Sequence, residues 1–176
     1  LIKLWNVAKF ISMFPEPGQK RALSELDKWI INETNSLISY CEDRYLSYDF
    51  HNPSIRLKNF IWEIFSSHYL ELVKNRAYNQ AKDFTEEEQN AAIFTLQYCL
   101  RTLLKLMAPI IPMITSKIYQ ELWAKDIHAE KFPEIEQEYQ PKLTTEKIVE
   151  LNSLVWKTKK DNSLALNKEI SELTIT

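Results

Sequence analysis

A chain of 176 residues with 45% hydrophobic content is long enough for one sizeable core, and a formal charge of −2 gives it no overall attraction for polyanions. Its single glycine, Gly18, excludes a P-loop, a dinucleotide-binding turn and a G-x-S-x-G nucleophile elbow, because each of these needs several glycines. We therefore expect any enzymatic chemistry to lie outside this chain.

Its apolar segments and cysteines point to the cytoplasm. No apolar run approaches the ~20 residues that span a bilayer, and no signal peptide is visible. Cys41 and Cys99 each lie inside a helical pattern and are interpreted as reduced core thiols. The sequence begins inside a helical pattern without an initiator Met, so we expect a piece of a longer protein. Acidic residues dominate 83–139, and a polyanion should prefer residues 1–82.

Helical periodicity predicts five helices in the first 124 residues. The first helix ends at the loop 15–18, which contains two prolines and the glycine, and carries one apolar face made of Leu4, Val7, Ala8, Ile11 and Phe14. The later helices begin at recognisable start signals: the N-cap Ser24 with Asp27, the pair Asn52 and Pro53, the capping box Thr85 with Glu88, and Pro112.

The third of these helices shows an apolar stripe that ends in Leu72 and Val73. Short connections between long helices indicate antiparallel packing. We therefore predict an all-α fold, an antiparallel helix bundle in residues 1–124.

Residues 125–176 have a different pattern. Residues 124–142 show no sustained period, which indicates an irregular crossing. A sixth helix is predicted from Thr144 or Thr145, with Ile148, Leu151 and Val155 facing inward. Short strands are predicted from the alternation at Leu164, Leu166, Leu173 and Ile175, as the start of a truncated C-terminal subdomain.

No spacing of residues nominates a metal or catalytic site. His51, His68 and His128 are scattered, and the pair His68 and Glu71 offers at most two ligands where zinc needs three or four. The acids at 86–88 are explained by helix capping and the helix dipole. We predict no metal ligands and no catalytic residues.

Two stretches carry a chemistry suited to RNA. On the outward side of the first helix, Trp5 and Phe10 flank Asn6, Lys9 and Met13, with Lys3 beside Phe10. The end of the third helix gathers Lys74, Arg76, Tyr78 and Lys82. Single-stranded RNA is bound by cations, flat side chains and amides in such mixtures. Helix packing and the helix dipole explain the same residues, so from chemistry alone both interpretations stay open.

The order of the segments resembles the anticodon-binding helical domain of class I aminoacyl-tRNA synthetases of the valine, isoleucine and leucine group. The motifs that carry the resemblance are "KLWNVAKF", "LDKWIINETNSLI" with Asp27 and Trp29, the Tyr69-Leu70-Glu71 ending, the prolines Pro109 and Pro112, and "DIHAEKFP". The sequence departs from the family at Ser66, Ser67 and His68 and lacks its HIGH and KMSKS signatures.

Within this group, the Trp5-Asn6 pair, residues 70–74 and "WKTKKDNSLALN" favour the valine-specific members. The resemblance implies a parent enzyme that joins valine to its tRNA with ATP, while this fragment supplies tRNA binding and identity. Alternatives are the isoleucine- or leucine-specific members, or a helix bundle without an RNA role.

The resemblance implies two partners, the anticodon loop and stem of tRNA and the catalytic domain of the same chain, with no DNA, no membrane and no cofactor in the fragment. ATP would bind the parent's catalytic domain. Trp5 itself is expected to pack on a neighbouring helix. The RNA-binding residues are predicted to be Lys3, Asn6, Lys9, Phe10, Phe14, Lys20, Arg21, Lys74, Arg76 and Tyr78.

Overall fold

The computed structural model describes residues 2–135 and 137–164, and within this part every regular element is helical, which confirms the all-α prediction. The chain divides into two compact units, Leu1–Leu143 and Thr144–Thr176. A π-helical segment, Phe60–Tyr69, joins α3 to α4, and a 3₁₀ turn, Ile127–Ala129, follows α6. The α-helices are α1 (Ile2–Ile11), α2 (Glu25–Leu46), α3 (His51–Asn59), α4 (Leu70–Tyr78), α5 (Glu86–Met107), α6 (Pro112–Trp123) and α7 (Thr145–Asp161).

The predicted helix starts at Ser24 and Thr85 are confirmed. The Asp27 backbone N–H donates to Ser24 Oγ at 3.3 Å, and the Ser24 N–H donates back to the Asp27 carboxylate at 2.9 Å. Thr85 and Glu88 repeat the same exchange at 3.2 and 2.9 Å. Each capping box satisfies donors that the first turn of a helix leaves without partners.

Helix α5 forms the centre of the first unit. It packs against α1, α2, α4 and α6, and its side chains are buried on more than one face. A helix that is apolar around most of its circumference is stable only when neighbours cover it on several sides. The face of α1 that packs inward consists of Leu4, Val7, Ala8 and Ile11, as predicted, whereas Phe14 lies beyond the end of α1 and is half-buried.

The π-helical segment rotates the buried face of the third predicted helix. Ser67 Oγ donates to the Trp62 carbonyl, five residues back, at 2.7 Å, and Ser66 donates in the same way to Ile61. Each π turn takes up more residues than an α turn, so the apolar face advances along the sequence. Tyr69 is fully buried as a result, whereas Leu72 is 37% exposed, so the predicted inward position of Leu72 is wrong.

The irregular crossing stays with the bundle. The Asn35 side chain donates to the Gln137 carbonyl at 2.8 Å, and the Tyr139 N–H donates to Asn32 Oδ1 at 2.9 Å. The Lys142 N–H donates to the Glu25 carboxylate at 2.8 Å. Polar side chains of α2 thus satisfy the backbone of this segment, and the compact unit extends to Leu143, whereas the sequence placed the boundary at residue 124.

The second unit contains α7. Its N-cap Thr144 accepts from the Lys147 N–H at 3.4 Å, as predicted. Ile148 is buried, and Leu151 and Val155 are half-buried. The strands predicted at Leu166, Leu173 and Ile175 lie outside the described residues. None of the helices α1 to α7 combines the length and apolarity that crossing a membrane requires.

Candidate nucleic-acid interface

Helix α1 presents a mixed polar and apolar face to solvent. Asn6, Lys9 and Met13 are exposed on this face. Trp5 is 37% exposed and lies with Lys9 along a groove of about 360 Å³ whose other wall is α6, where Glu121 also lines it. The tryptophan therefore keeps part of its ring accessible beside the neighbouring helix, and the amide and the ammonium remain open to a ligand.

The two stretches that the sequence singled out meet in an aromatic cluster of Phe10, Phe14 and Tyr78. The ring centroids are 5.2 Å apart for Phe10 and Phe14, 5.7 Å for Phe10 and Tyr78, and 5.2 Å for Phe14 and Tyr78. Two of the three pairs are edge-to-face, a favoured geometry for aromatic rings. Tyr78 is 40% exposed, and both phenylalanines are half-buried, so the aromatic cluster forms a partly open platform at the end of α1.

Lys3 lies on another side of α1 and is already engaged. Its ammonium donates to the Trp62 carbonyl at 2.8 Å and to Ser67 Oγ at 3.2 Å, and it sits 5.5 Å from the centre of the Trp62 ring. At the π-helical segment, the Lys3 ammonium therefore meets hydrogen-bond acceptors. We therefore assign Lys3 to the packing of α1 against that segment.

Arg76 does not belong to the exposed set that the sequence predicted. Its side chain is buried, and its two terminal nitrogens donate to the Asp27 carboxylate at 2.7 and 2.5 Å. A guanidinium held in this way offers no charge to a phosphate at the surface. Lys74 is half-exposed but pairs with Glu71 at 2.5 Å, which offsets its charge locally.

Lys20 and Arg21 lie on the loop that connects α1 to α2, and both are exposed. The Arg21 guanidinium carbon sits 3.9 Å above the centre of the Phe94 ring, and its Nε donates to the Gly18 carbonyl at 3.1 Å. Gly18 in turn approaches Asn90 so closely that a Cβ would lie 2.6 Å from its side-chain nitrogen. The loop thus fixes Arg21 on α5, away from the outward face of α1.

Charge at this end of the bundle is mixed. Among the ion pairs of the described residues, none involves Lys9 or Lys20. Glu86 and Glu87 are exposed in the first turn of α5, and hydrogen bonds from Thr85 lower the pKa of Glu88. This end of the bundle therefore offers few unpaired cations beside its exposed aromatic and amide side chains.

Within residues 2–135 and 137–164, no three His, Cys, Asp or Glu side chains are grouped so that they could hold a metal ion. His68 is buried, and burial lowers its pKa, so a neutral imidazole is favoured.

Sequence reasoning missed the face of α5 that Arg21 covers. Phe94 and Tyr98 stack with centroids 6.0 Å apart, and Arg101 follows one turn later. These residues line a cavity of about 510 Å³ together with Arg21 and Trp123. The spacing of an aromatic, an aromatic and an arginine at i, i+4 and i+7 on a helix was the signal that could have found it.

The chain matches the family model described as the anticodon-binding domain of tRNA ligase over residues 27–175. It is 39% identical over 168 residues to a valine–tRNA ligase of Pyrobaculum aerophilum, a match that covers 94% of this chain and 21% of that protein. Valine–tRNA ligases of Aeropyrum pernix and Wolbachia pipientis are 32% and 30% identical, each over 98% of this chain and 22% and 20% of those proteins. The chain spans about a fifth of the length of these curated relatives. By its match over most of its residues, the chain belongs to the anticodon-binding domain family of tRNA ligases.

Proposed function

We propose that this chain is the anticodon-binding part of a valine–tRNA ligase and that it supplies tRNA binding and identity to that enzyme. The relatives that match almost its whole length carry that name. Activation of valine with ATP and its transfer to tRNA belong to the other four-fifths of such a ligase. Two free, buried cysteines are typical of a protein in a reducing compartment, and we propose that this protein is located in the cytoplasm.

The aromatic cluster carries this proposal. Residues more than 60 positions apart in sequence converge on it, and Asn6 and Lys9 stand exposed on the same helix as Phe10. Unstacked bases of a single-stranded loop bind to aromatic edges and faces, and amide groups read their polar edges. The solvent-facing side of α1 with the aromatic cluster is therefore the surface that we assign to the anticodon loop.

The charge of this surface predicts how binding depends on salt. A phosphate contact on single-stranded nucleic acid contributes a slope of roughly −0.7 in log affinity against log salt concentration. Lys9 is an exposed lysine of this surface and has no ion pair among the described residues. We therefore expect a shallow salt dependence from this domain, with stacking supplying much of the remaining affinity.

The proposal is tested with the complete ligase that contains this chain. Its affinity for a valine tRNA transcript is compared with its affinity for the same transcript carrying a different anticodon. We expect weaker binding of the altered transcript, and we expect Tyr78→Ala to weaken binding of the valine transcript by roughly tenfold, since stacking of a base is lost.

The matched control is Tyr48→Ala, which removes a tyrosine that is 85% exposed at the turn after α2, the opposite end of that helix from Lys20 and Arg21. We expect this variant to bind as the unmodified ligase does. Equal affinity for both anticodons, or equal losses in the two tyrosine variants, would overturn the proposal.

A further inference from the structure

The cavity of about 510 Å³ lies on the α5 side of the bundle, and its chemistry differs from that of α1. Its walls include Phe94, Tyr98 and Arg101 from α5, Arg21 from the loop after α1, and Trp123 from α6. A volume in this range is typical of sites that enclose a small planar ligand or one unit of a polymer. Three of these five side chains are aromatic and two are arginines.

Arg21 and Phe94 stack on each other where two cavities meet. A second cavity of about 380 Å³ shares Arg21, Phe94 and Tyr98 with the first. The guanidinium lies 3.9 Å above the phenylalanine ring, and its Nε is bonded to the Gly18 carbonyl. The terminal nitrogens of Arg21 are left for a ligand, and the exposed guanidinium plane offers a surface on which another flat group can stack.

Arg101 lines the same cavity. Its Nε donates to the Tyr119 hydroxyl at 2.8 Å, and its guanidinium carbon lies 5.6 Å from the ring centres of Tyr119 and Trp123. Its contact with Glu130 is long, at 3.9 Å, because that carboxylate pairs with Lys105 at 2.8 Å. Arg101 thus keeps donors that one phosphate could accept from.

The lining carries both charges in near balance, because the charge of Lys105 is offset by its pair with Glu130. Arg21, Arg101 and Lys105 face Glu16 and Glu134. An acidic peptide with several carboxylates would meet repulsion from these two acids. A nucleotide brings one negative charge and one large flat ring, which matches the cations and the aromatic walls more closely.

We propose that this cavity is a second RNA subsite, which takes one unstacked nucleotide of the tRNA anticodon loop, and this inference rests on the proposed function. The base stacks against the Arg21 and Phe94 pair, and the phosphate accepts from Arg101. The aromatic cluster and this cavity are linked by a smaller cavity of about 140 Å³ that touches Phe14 and Trp123. This smaller cavity therefore borders one residue of the aromatic cluster and one wall of the proposed subsite.

The test separates the planar group of Arg21 from its charge. Arg21→Lys keeps a cation on the loop but loses the flat guanidinium, whereas Arg21→Ala loses both. The complete ligase is titrated against valine tRNA transcripts that carry 2-aminopurine at one anticodon-loop position at a time. We expect one position to change its fluorescence on binding to the unmodified ligase, and this change to disappear in both variants.

The salt dependence gives the second readout. Arg21→Lys and Arg21→Ala should each weaken binding roughly tenfold with an unchanged salt slope, because Arg21 stacks on the base, whereas Arg101→Ala should make the slope shallower by about 0.7 because Arg101 contacts the phosphate. Lys117→Ala, which removes an exposed lysine paired with Glu121 on α6, is the control and should change neither. Variants that bind every labelled transcript as the unmodified ligase does would overturn the subsite.

The two proposals fail in different ways. A ligase that distinguishes anticodons but ignores both Arg21 substitutions contradicts the subsite and leaves the proposed function standing. A ligase that binds both anticodons equally contradicts both. Tighter binding of a polyglutamate peptide than of the isolated anticodon stem-loop, lost in Arg21→Ala, would assign the cavity to an acidic peptide and overturn the RNA subsite.

Discussion

The Arg76 guanidinium donates to both oxygens of the Asp27 carboxylate, at 2.7 and 2.5 Å, and both side chains are buried. The same carboxylate accepts from the Tyr69 hydroxyl at 2.8 Å and from the backbone and hydroxyl of Ser24, both at 2.9 Å. Burial and the Asp27 charge hold the pKa of Tyr69 well above its usual range, so it donates as a neutral phenol. One carboxylate thus caps α2 and ties it to α4.

Removing Asp27 should destabilise the fold strongly. Asp27→Ala leaves the Arg76 charge buried without its counter-ion, and breaking a buried pair in this way costs about 3–5 kcal/mol. Unfolding by urea, followed by circular dichroism, measures the change. The control is Glu71→Ala, which breaks the exposed pair with Lys74 and should change the free energy of unfolding by less than about 1 kcal/mol. Similar values for the two variants would contradict the assigned role of Asp27.

The two cysteines should be inert in the folded protein. Both are fully buried, and burial raises the pKa of Cys41 to about 11 and that of Cys99 to about 12. Because the thiolate is the reactive form, we expect almost no labelling by a disulfide reagent at about pH 8 until urea unfolds the chain. Rapid labelling of either thiol without denaturant would show that the packing around α5 is more open than described.

His68 should lower the free energy of unfolding at acidic pH. Burial lowers its pKa below the ordinary value of 6.5, so the unfolded chain binds more protons as the pH falls through that value. The neutral His68 leaves the free energy of unfolding at its full value above pH 6.5. As the pH falls below 6.5, protonation of the unfolded chain lowers the free energy of unfolding. We expect His68→Gln to lose less stability than the unmodified protein between about pH 7 and about pH 5, in urea titrations at both values.

A His68→Gln variant that loses as much stability between the two pH values as the unmodified protein does would contradict the role of burial.

Lys3 and Lys9 should differ in their effect on tRNA binding, although both lie on α1. Lys9→Ala removes an exposed cation and should reduce the magnitude of the salt slope by about 0.7, whereas Lys3 is held by the Trp62 carbonyl. Lys3→Ala should therefore lower the melting temperature and leave the slope unchanged. Affinity measurements of the complete ligase at several salt concentrations decide this, and identical slopes in the two variants would contradict the assignment.

The helix starts at Ser24, Thr85 and Pro112 were predictable because caps and prolines act locally, whereas the predicted cap Asn52 lies inside α3, which begins at His51. Ser24, Thr85 and Pro112 each satisfy or remove donors within one turn, so their effect can be read without knowing the rest of the fold. The exposure of Leu72 could not be predicted in this way. It depends on the π-helical segment, whose wider turns change which residues of α4 face the core.

The exposure of the candidate site residues was predictable where the apolar face of a single helix determines it, and not where a long-range partner does. Asn6 and Lys9 are exposed because the apolar face of α1 faces the opposite way. Arg76 is buried because Asp27, 49 residues earlier, accepts its hydrogen bonds, and Arg21 turns to α5 because Phe94 lies beneath it. Neither partner follows from the periodicity of a single helix.

The most direct test of the central assignment is photo-crosslinking from α1 of the complete ligase. A photoreactive amino acid replaces Asn6, which is exposed on the assigned surface, and in a second variant replaces Glu42, which is exposed near the C-terminal end of α2. After irradiation with valine tRNA, the crosslinked nucleotides are mapped. We predict crosslinks to the anticodon loop from position 6 and none to that loop from position 42, whereas anticodon-loop crosslinks from position 42 alone would contradict the assignment.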